Sequence, residues 1–208
     1  MGAAVLANLR KAGFAVDSVT GSGTGTFAFD LDGPFTELQV GSYIFMDADY
    51  ARNLDSDGQL VSTFRHSLFV LSTVMSAAQP GVAVLDAGHK AVSVDSGMPT
   101  LWQRPDIKYV SASDEHGKLD VGSEAEMPKL GQKMRLVPGH CDPTVDRYDW
   151  YVGVRKGRFS NCSICGRRMR SARQVMVTKM ETAVMKATIV KSAALSSSRR
   201  RRNMGGDR

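Results

Sequence analysis

From Leu68 to Val154 the chain is a succession of short apolar stretches cut by glycine, proline and acidic turns, and this limits its fold more than any other feature. Residues 68–78 form a β-like run closed by Gln79-Pro80-Gly81, and Val82 to Asp86 follows at once, so the two runs are predicted to pair as a hairpin. Ile107 to Ser111 and Lys118 to Val121 flank a polar tip, Asp114-Glu115-His116-Gly117. Gly131 to Val137 alternates apolar and polar residues, and Trp150 to Val154 reads as a last strand. Short strands recurring roughly every 8 to 12 residues point to a mainly β domain, a barrel or a sandwich.

The segment before this succession is of another kind. Met1 to Gly13 places Val5, Leu6 and Leu9 at helical spacing and ends on a glycine, which predicts a short helix. Phe14 to Val19 reads as a strand, and Gly21-Ser22-Gly23-Thr24-Gly25-Thr26 follows it. Such a loop can bring backbone N–H groups and two hydroxyls close to a phosphate, although a glycine-serine linker has the same composition. Further short strands are expected where Phe27 and Phe29 alternate, at Phe35 to Val40 and at Tyr43 to Met46. Asp47, Asp49 and Tyr50 close the last of these, either as exposed residues or facing a site.

Net charge divides the chain in two. Residues 155–208 carry 15 Lys and Arg against 2 acids, a balance of +13, whereas residues 1–154 carry 12 against 19, a balance of −7. The basic part invites a nucleic-acid reading, but it has no interleaved aromatic platform, so nucleic acid is an unlikely partner. Cys162 and Cys165 have half the spacing of a zinc ribbon without a second pair. Met176, Met180 and Val184 allow an amphipathic helix within residues 172–190, and Ser196 to Arg202 is expected to lack order. Three cysteines without a signal-peptide pattern fit a reducing, cytoplasmic setting. No apolar run approaches the roughly 18 residues that span a bilayer.

The chemistry concentrates at Val137-Pro138-Gly139-His140-Cys141-Asp142-Pro143-Thr144-Val145. If this stretch is extended, His140 and Asp142 project to one face and Cys141 to the other. An imidazole and a carboxylate held two residues apart make half a coordination shell. A polar turn with a buried histidine is the other reading of the same residues.

Taken in order, Gly23-Thr24-Gly25-Thr26, Gly41 to Tyr50, Leu85-Asp86-Ala87-Gly88, Ser113-Asp114-Glu115-His116-Gly117 and Pro138 to Val145 resemble the C-terminal part of the D-threonine aldolase and D-serine dehydratase group. That group belongs to the alanine-racemase-like enzymes that use pyridoxal 5'-phosphate (PLP). The resemblance implies that residues 1–26 are the last helix, strand and loop of a TIM-like barrel, truncated here. Residues 27–157 would be the dehydratase-like β domain with the metal site, and residues 158–208 a basic tail of low order. It further implies that Gly23, Thr24 and Gly25 help to hold the cofactor phosphate and that His140 and Asp142 bind a divalent metal. The catalytic residues stay unassigned, with His116, beside the acids of its hairpin tip, either a candidate assisting residue or part of an ordinary polar tip.

A carboxylate beside the imidazole favours Mn²⁺ or Mg²⁺, with Zn²⁺ as the alternative. Because the dehydratase branch resembles His-x-Cys where this chain reads His-x-Asp, the resemblance favours the aldolase branch, with a D-serine dehydratase-like lyase as the alternative. The implied reaction is cleavage of a D-3-hydroxy amino acid to glycine and an aldehyde in a homodimer. No lysine here lies in a motif matching the one that anchors the cofactor. The chain therefore reads as a fragment or paralogue, expected to be inactive alone. A non-catalytic β domain serving dimerisation or partner binding is the competing class.

Overall fold

The computed structural model describes residues 2–123, 125–164 and 175–179. Its first part is sparsely structured. Helix α1 (Gly2–Lys11) ends at Gly13, which takes the left-handed conformation, as the glycine stop predicts. The strand expected at Phe14 to Val19 does not form: only β1 (Thr20–Gly21) pairs, in parallel, with β2 (Glu37–Leu38). Extended chain counts as a strand only where a neighbouring strand takes its N–H and C=O groups, whereas the Phe14 N–H donates back to the Leu9 carbonyl of α1 and its side chain is exposed.

The strands expected between Phe27 and Met46 are likewise corrected. Phe27–Asp30 is a helical turn, α2, and Ser42–Ile44 is a 3-10 turn, so β2 alone remains of them. Here the aromatic side chains decide the local shape. Phe27 and Tyr43 both pack on Phe64, with ring centroids 5.2 and 5.3 Å away, and curling the backbone brings the rings together where alternation would part them.

From Leu68 the alternation holds. Strand β3 (Leu68–Gln79) turns through Pro80-Gly81 into β4 (Val82–Leu85), and Gly81 has the positive φ that this turn demands. The strands β5 (Thr100–Leu101), β6 (Ile107–Ala112), β7 (Gly117–Val121) and β8 (Lys133–Val137) then complete a closed ring. Its order is β3-β4-β7-β6-β5-β8, and β8 returns to β3 through Val70–Leu136 and Ser72–Met134. This is a six-stranded barrel, and its inside is filled by alternate residues. Leu68, Val70, Val74, Leu85, Ile107, Tyr109, Leu119, Val121 and Leu136 are buried in one cluster. Each large aliphatic side chain there contributes about 1.5–3 kcal/mol on burial. At the β6–β7 hairpin Gly117 leaves room for the Tyr109 ring, whose hydroxyl donates to the Ala87 carbonyl at 2.7 Å.

After β8 the chain makes a short helix, α3 (Cys141–Val145), and then β9 (Trp150–Arg155). Two strands lie within the segment expected to have low order: β10 (Arg158–Ile164), antiparallel to β9, and β11 (Val175–Lys179), parallel to β9 and antiparallel to β3. The amphipathic helix expected over 172–190 is therefore corrected at residues 175–179. The Val-Met-Val-Thr sequence there suits a pleated strand, because β-branched side chains crowd a helix. Cys165, Met180, Val184 and the arginine run lie outside the described residues, and with them the half zinc ribbon and the end expected to lack order. Among the described residues, no helix is long and apolar enough to cross a membrane.

Candidate functional site

Strand β8 delivers Val137-Pro138-Gly139 to the barrel's end, and the next residues carry the candidate ligands. His140 is extended (φ −140°, ψ 123°), but Cys141 to Val145 is helical, which corrects the fully extended reading. Helix is possible because Pro143 falls in the first turn, where its missing N–H would have had no intrahelical partner. The first N–H of the turn, that of Cys141, donates to Asp47 Oδ2 at 2.7 Å. Asp47 thus does from 94 residues away what a capping side chain does locally. Its other oxygen accepts the Tyr50 N–H at 2.8 Å, and it is fully buried. Of the acids closing the 41–50 stretch, this one is structural.

The bend still brings the predicted pair together: His140 Nε2 lies 3.5 Å from Asp142 Oδ2. Two donors bound about 2.1 Å from one ion at tetrahedral or octahedral angles lie roughly 3.0 to 3.4 Å apart, so this spacing suits a shared cation. The side chains are 27% and 64% exposed, which leaves the remaining coordination directions open to water or substrate. Cys141 turns inward, at 1% exposure within the barrel cluster, but the helical turn keeps it beside Asp142 rather than on the opposite face that an extended chain would give it. Its Sγ donates weakly to Asp142 Oδ2 at 3.4 Å, and burial, reinforced by Asp47 and Asp142, pushes the thiol well above its ordinary pKa. A buried, protonated thiol is a poor metal ligand. Among the described residues, no group of three or more His, Cys, Asp or Glu is placed to close a metal shell, so His140 and Asp142 fit a cation as half of one.

Four side chains that the sequence reading left unassigned reach this pair. Ser42 Oγ donates to Asp142 Oδ2 at 2.9 Å. Asp95 Oδ2 meets His140 Nδ1 at 2.8 Å, and Ser96 Oγ lies 3.3 Å from the same nitrogen. Thr144 Oγ1 donates to the His140 carbonyl at 2.7 Å and accepts the Ser93 N–H at 3.0 Å. Burial draws the His140 pKa down, but the bond to Asp95 and the charges of Asp95, Asp47 and Asp142 outweigh it, leaving the imidazole above its ordinary value. The Ser93 hydroxyl and then His140 hold Asp95 below the usual carboxylate range.

The glycine loop lies beside this centre. Thr24 is buried, and its hydroxyl accepts the Tyr43 N–H at 3.1 Å, which leaves its proton for another acceptor. Gly25 packs against Asn53, whose Nδ2 lies 2.6 Å from where a Cβ would sit, whereas the corresponding position at Gly23 faces open space. One open glycine beside one spare hydroxyl proton suits a phosphate. The consecutive residues Ser42 and Tyr43 therefore bond to the two halves of the candidate site, the His140–Asp142 pair and the loop. His116 is elsewhere: its hairpin tip receives the N–H groups of His89 and Lys90, and its own N–H donates to Ser113 Oγ. The structure does not bring it to the His140 pair.

Residues 67–154 match the sequence family described as "Putative serine dehydratase domain". The barrel is a domain of this family. Over 153 residues the chain is 49% identical to a 3-hydroxy-D-aspartate aldolase of Paracoccus denitrificans (strain Pd 1222), covering 72% of this chain and 39% of that one. A D-threonine aldolase of Arthrobacter sp. is 47% identical over 150 residues, with 72% and 39% covered. The crystal structure of D-threonine aldolase from Filomicrobium marinum superposes with a TM-score of 0.71 at 46% identity, over 77% of this chain and 44% of that chain. The resemblance read from the ordered motifs is thereby borne out, and the chain spans less than half the length of these relatives.

Proposed function

We propose that this chain carries the metal-binding part of a PLP- and divalent-metal-dependent aldolase that cleaves D-3-hydroxy amino acids to glycine and an aldehyde. One observation supports it above the others: Ser42 and Tyr43, neighbours in sequence, bond to Asp142 and Thr24 respectively. Consecutive Cα atoms are about 3.8 Å apart, so an anion at the glycine loop and a cation at the His140 pair would be held in a fixed relation within reach of one amino-acid substrate.

In this reading His140 Nε2 and Asp142 Oδ2 are the protein ligands of the cation, and Ser42 fixes the carboxylate that binds it. Thr24 offers its hydroxyl proton to the phosphate, and Gly23, with open space where a side chain would stand, lets the phosphate approach. When bound, PLP supplies the electron sink for breaking the Cα–Cβ bond and the cation holds the substrate hydroxyl. An imidazole with a carboxylate suits Mn²⁺ or Mg²⁺ better than the thiolate sites that select Zn²⁺. The reading carries the homodimer of the resembled group with it. Calorimetric titration with Mn²⁺ tests the centre: one ion per chain, taken up weakly, and none in His140→Ala or Asp142→Ala. No uptake by the unaltered chain, or undiminished uptake by both variants, overturns the assignment.

A further inference from the structure

The metal reading above uses two side chains, and it leaves a question about His140. Imidazole can carry its proton on either nitrogen, and only the Nδ1–H form presents a lone pair at Nε2, the atom beside Asp142. What fixes that choice is on the other side of the ring.

We propose that Asp95 is the positioning residue that makes His140 a ligand for a divalent cation. The inference rests on the metal reading of the His140 and Asp142 pair. An ionised carboxylate only accepts hydrogen bonds, so Asp95 Oδ2, 2.8 Å from Nδ1, requires the proton to be there. Ser96 Oγ is the only rival within reach among the described residues, and at 3.3 Å it is the longer contact. Asp95 is itself fixed, since its second oxygen accepts the Ser93 hydroxyl.

The same turn holds the histidine backbone. Ser93 N–H donates to Thr144 Oγ1, which donates in turn to the His140 carbonyl. The Ser93–Asp95 segment therefore grips His140 at both ring and main chain, and neither the ring nor its Cα is free to swing. In the neutral ring with its proton on Nδ1, Nε2 and Asp142 Oδ2 face each other at 3.5 Å as two acceptors with no hydrogen between them. A cation relieves that opposition. A carboxylate bonded to the far nitrogen of a metal-bound histidine typically changes affinity 10- to 100-fold when removed, by fixing the tautomer and strengthening the ligand.

The experiment compares the unaltered chain with Asp95→Ala, Asp95→Asn and Ser96→Ala. Mn²⁺ affinity is measured by calorimetry at a pH where imidazole is neutral, and the His140 tautomer by ¹⁵N-edited NMR without metal. The expected results are an affinity about 10- to 100-fold lower in Asp95→Ala and a tautomer that changes from Nδ1–H to a mixture. Asp95→Asn, whose amide oxygen can still accept from Nδ1–H, should recover most of the affinity, and Ser96→Ala should leave it unchanged. Circular dichroism establishes that each variant is folded. If the unaltered chain binds Mn²⁺ and Asp95→Ala binds it equally well with the tautomer unchanged, the positioning role is wrong while the metal site stands. If the unaltered chain binds none, the metal reading itself falls and takes this role with it.

Discussion

A Cβ on Gly139 would lie 1.9 Å from the carbonyl oxygen of Gly97, well inside any permitted contact. The two glycines sit next to the residues that matter most: Gly139 precedes His140, and Gly97 follows the Asp95-Ser96 turn. Their close approach is what lets a carboxylate reach an imidazole 45 residues away. Gly139 is also held from the other side, since its carbonyl accepts the Asp49 N–H and that of Pro138 accepts the Ala48 N–H. Gly139→Ala has no flexible side chain to push aside. It should cost about 3 kcal/mol of stability, at the upper end for overpacking, read as a lower urea midpoint, and should weaken Mn²⁺ binding as the His140 and Asp95 segments part.

A second prediction concerns Asp86, at the end of β4. Its Oδ1 accepts the Thr73 N–H at 2.7 Å and the Ser72 hydroxyl at 2.8 Å, tying the hairpin together. Burial alone would raise its pKa, yet these bonds and the charge of Lys133 prevail and hold it below the ordinary carboxylate value. A depressed pKa stabilises the fold while the group is ionised. The contribution is complete above the unfolded value of about 3.9 and disappears as pH falls through the lower folded value. Asp86→Asn should therefore cost about 1 kcal/mol at pH 7, the charge-assisted range discounted for solvent screening, and much less at the acid end. Urea titrations of both proteins at neutral and acid pH measure the difference.

The barrel was legible because its code is local. In β7 inward and outward residues alternate throughout, in β6 they do so from Ile107 to Val110, where the register shifts between Tyr109 and Ser111, and Gln79-Pro80-Gly81 marks the β3–β4 turn in the sequence itself. The barrel's closure through Val70–Leu136 was not legible, since a sandwich and a barrel share the same alternation. At the site, His140 and Asp142 stood out as neighbours two apart. Their supports, Ser42, Asp47 and Asp95, come from 100, 94 and 45 residues away and look like ordinary turn or strand-end residues where they stand. Phe27 and Phe29 misled for a related reason: two aromatic residues two apart fit a strand until a third ring, Phe64, supplies a different place to pack. Within residues 175–179 the helical reading misled because a repeat of four residues is even, so strand alternation satisfies it as readily as a helical turn.

The last prediction separates a carboxylate site from a thiolate site. Cys141 lies between His140 and Asp142 and touches the latter through Sγ, so sequence proximity alone would admit it as the ligand. Its environment argues otherwise, because metal binding needs the thiolate, and burial beside Asp47 and Asp142 opposes that form. Serine at this position keeps the size and a hydroxyl able to donate to Asp142, so Cys141→Ser should retain Mn²⁺ affinity within about threefold, less than the loss expected for an orienting residue. Removing the carboxylate in Asp142→Ala leaves His140 alone, and one imidazole with water in every other position should not hold the ion measurably. Paramagnetic relaxation of water protons during a Mn²⁺ titration reports both variants directly. The reverse result, binding lost in Cys141→Ser and kept in Asp142→Ala, would show a thiolate site and move the proposed assignment from the aldolase to the dehydratase branch.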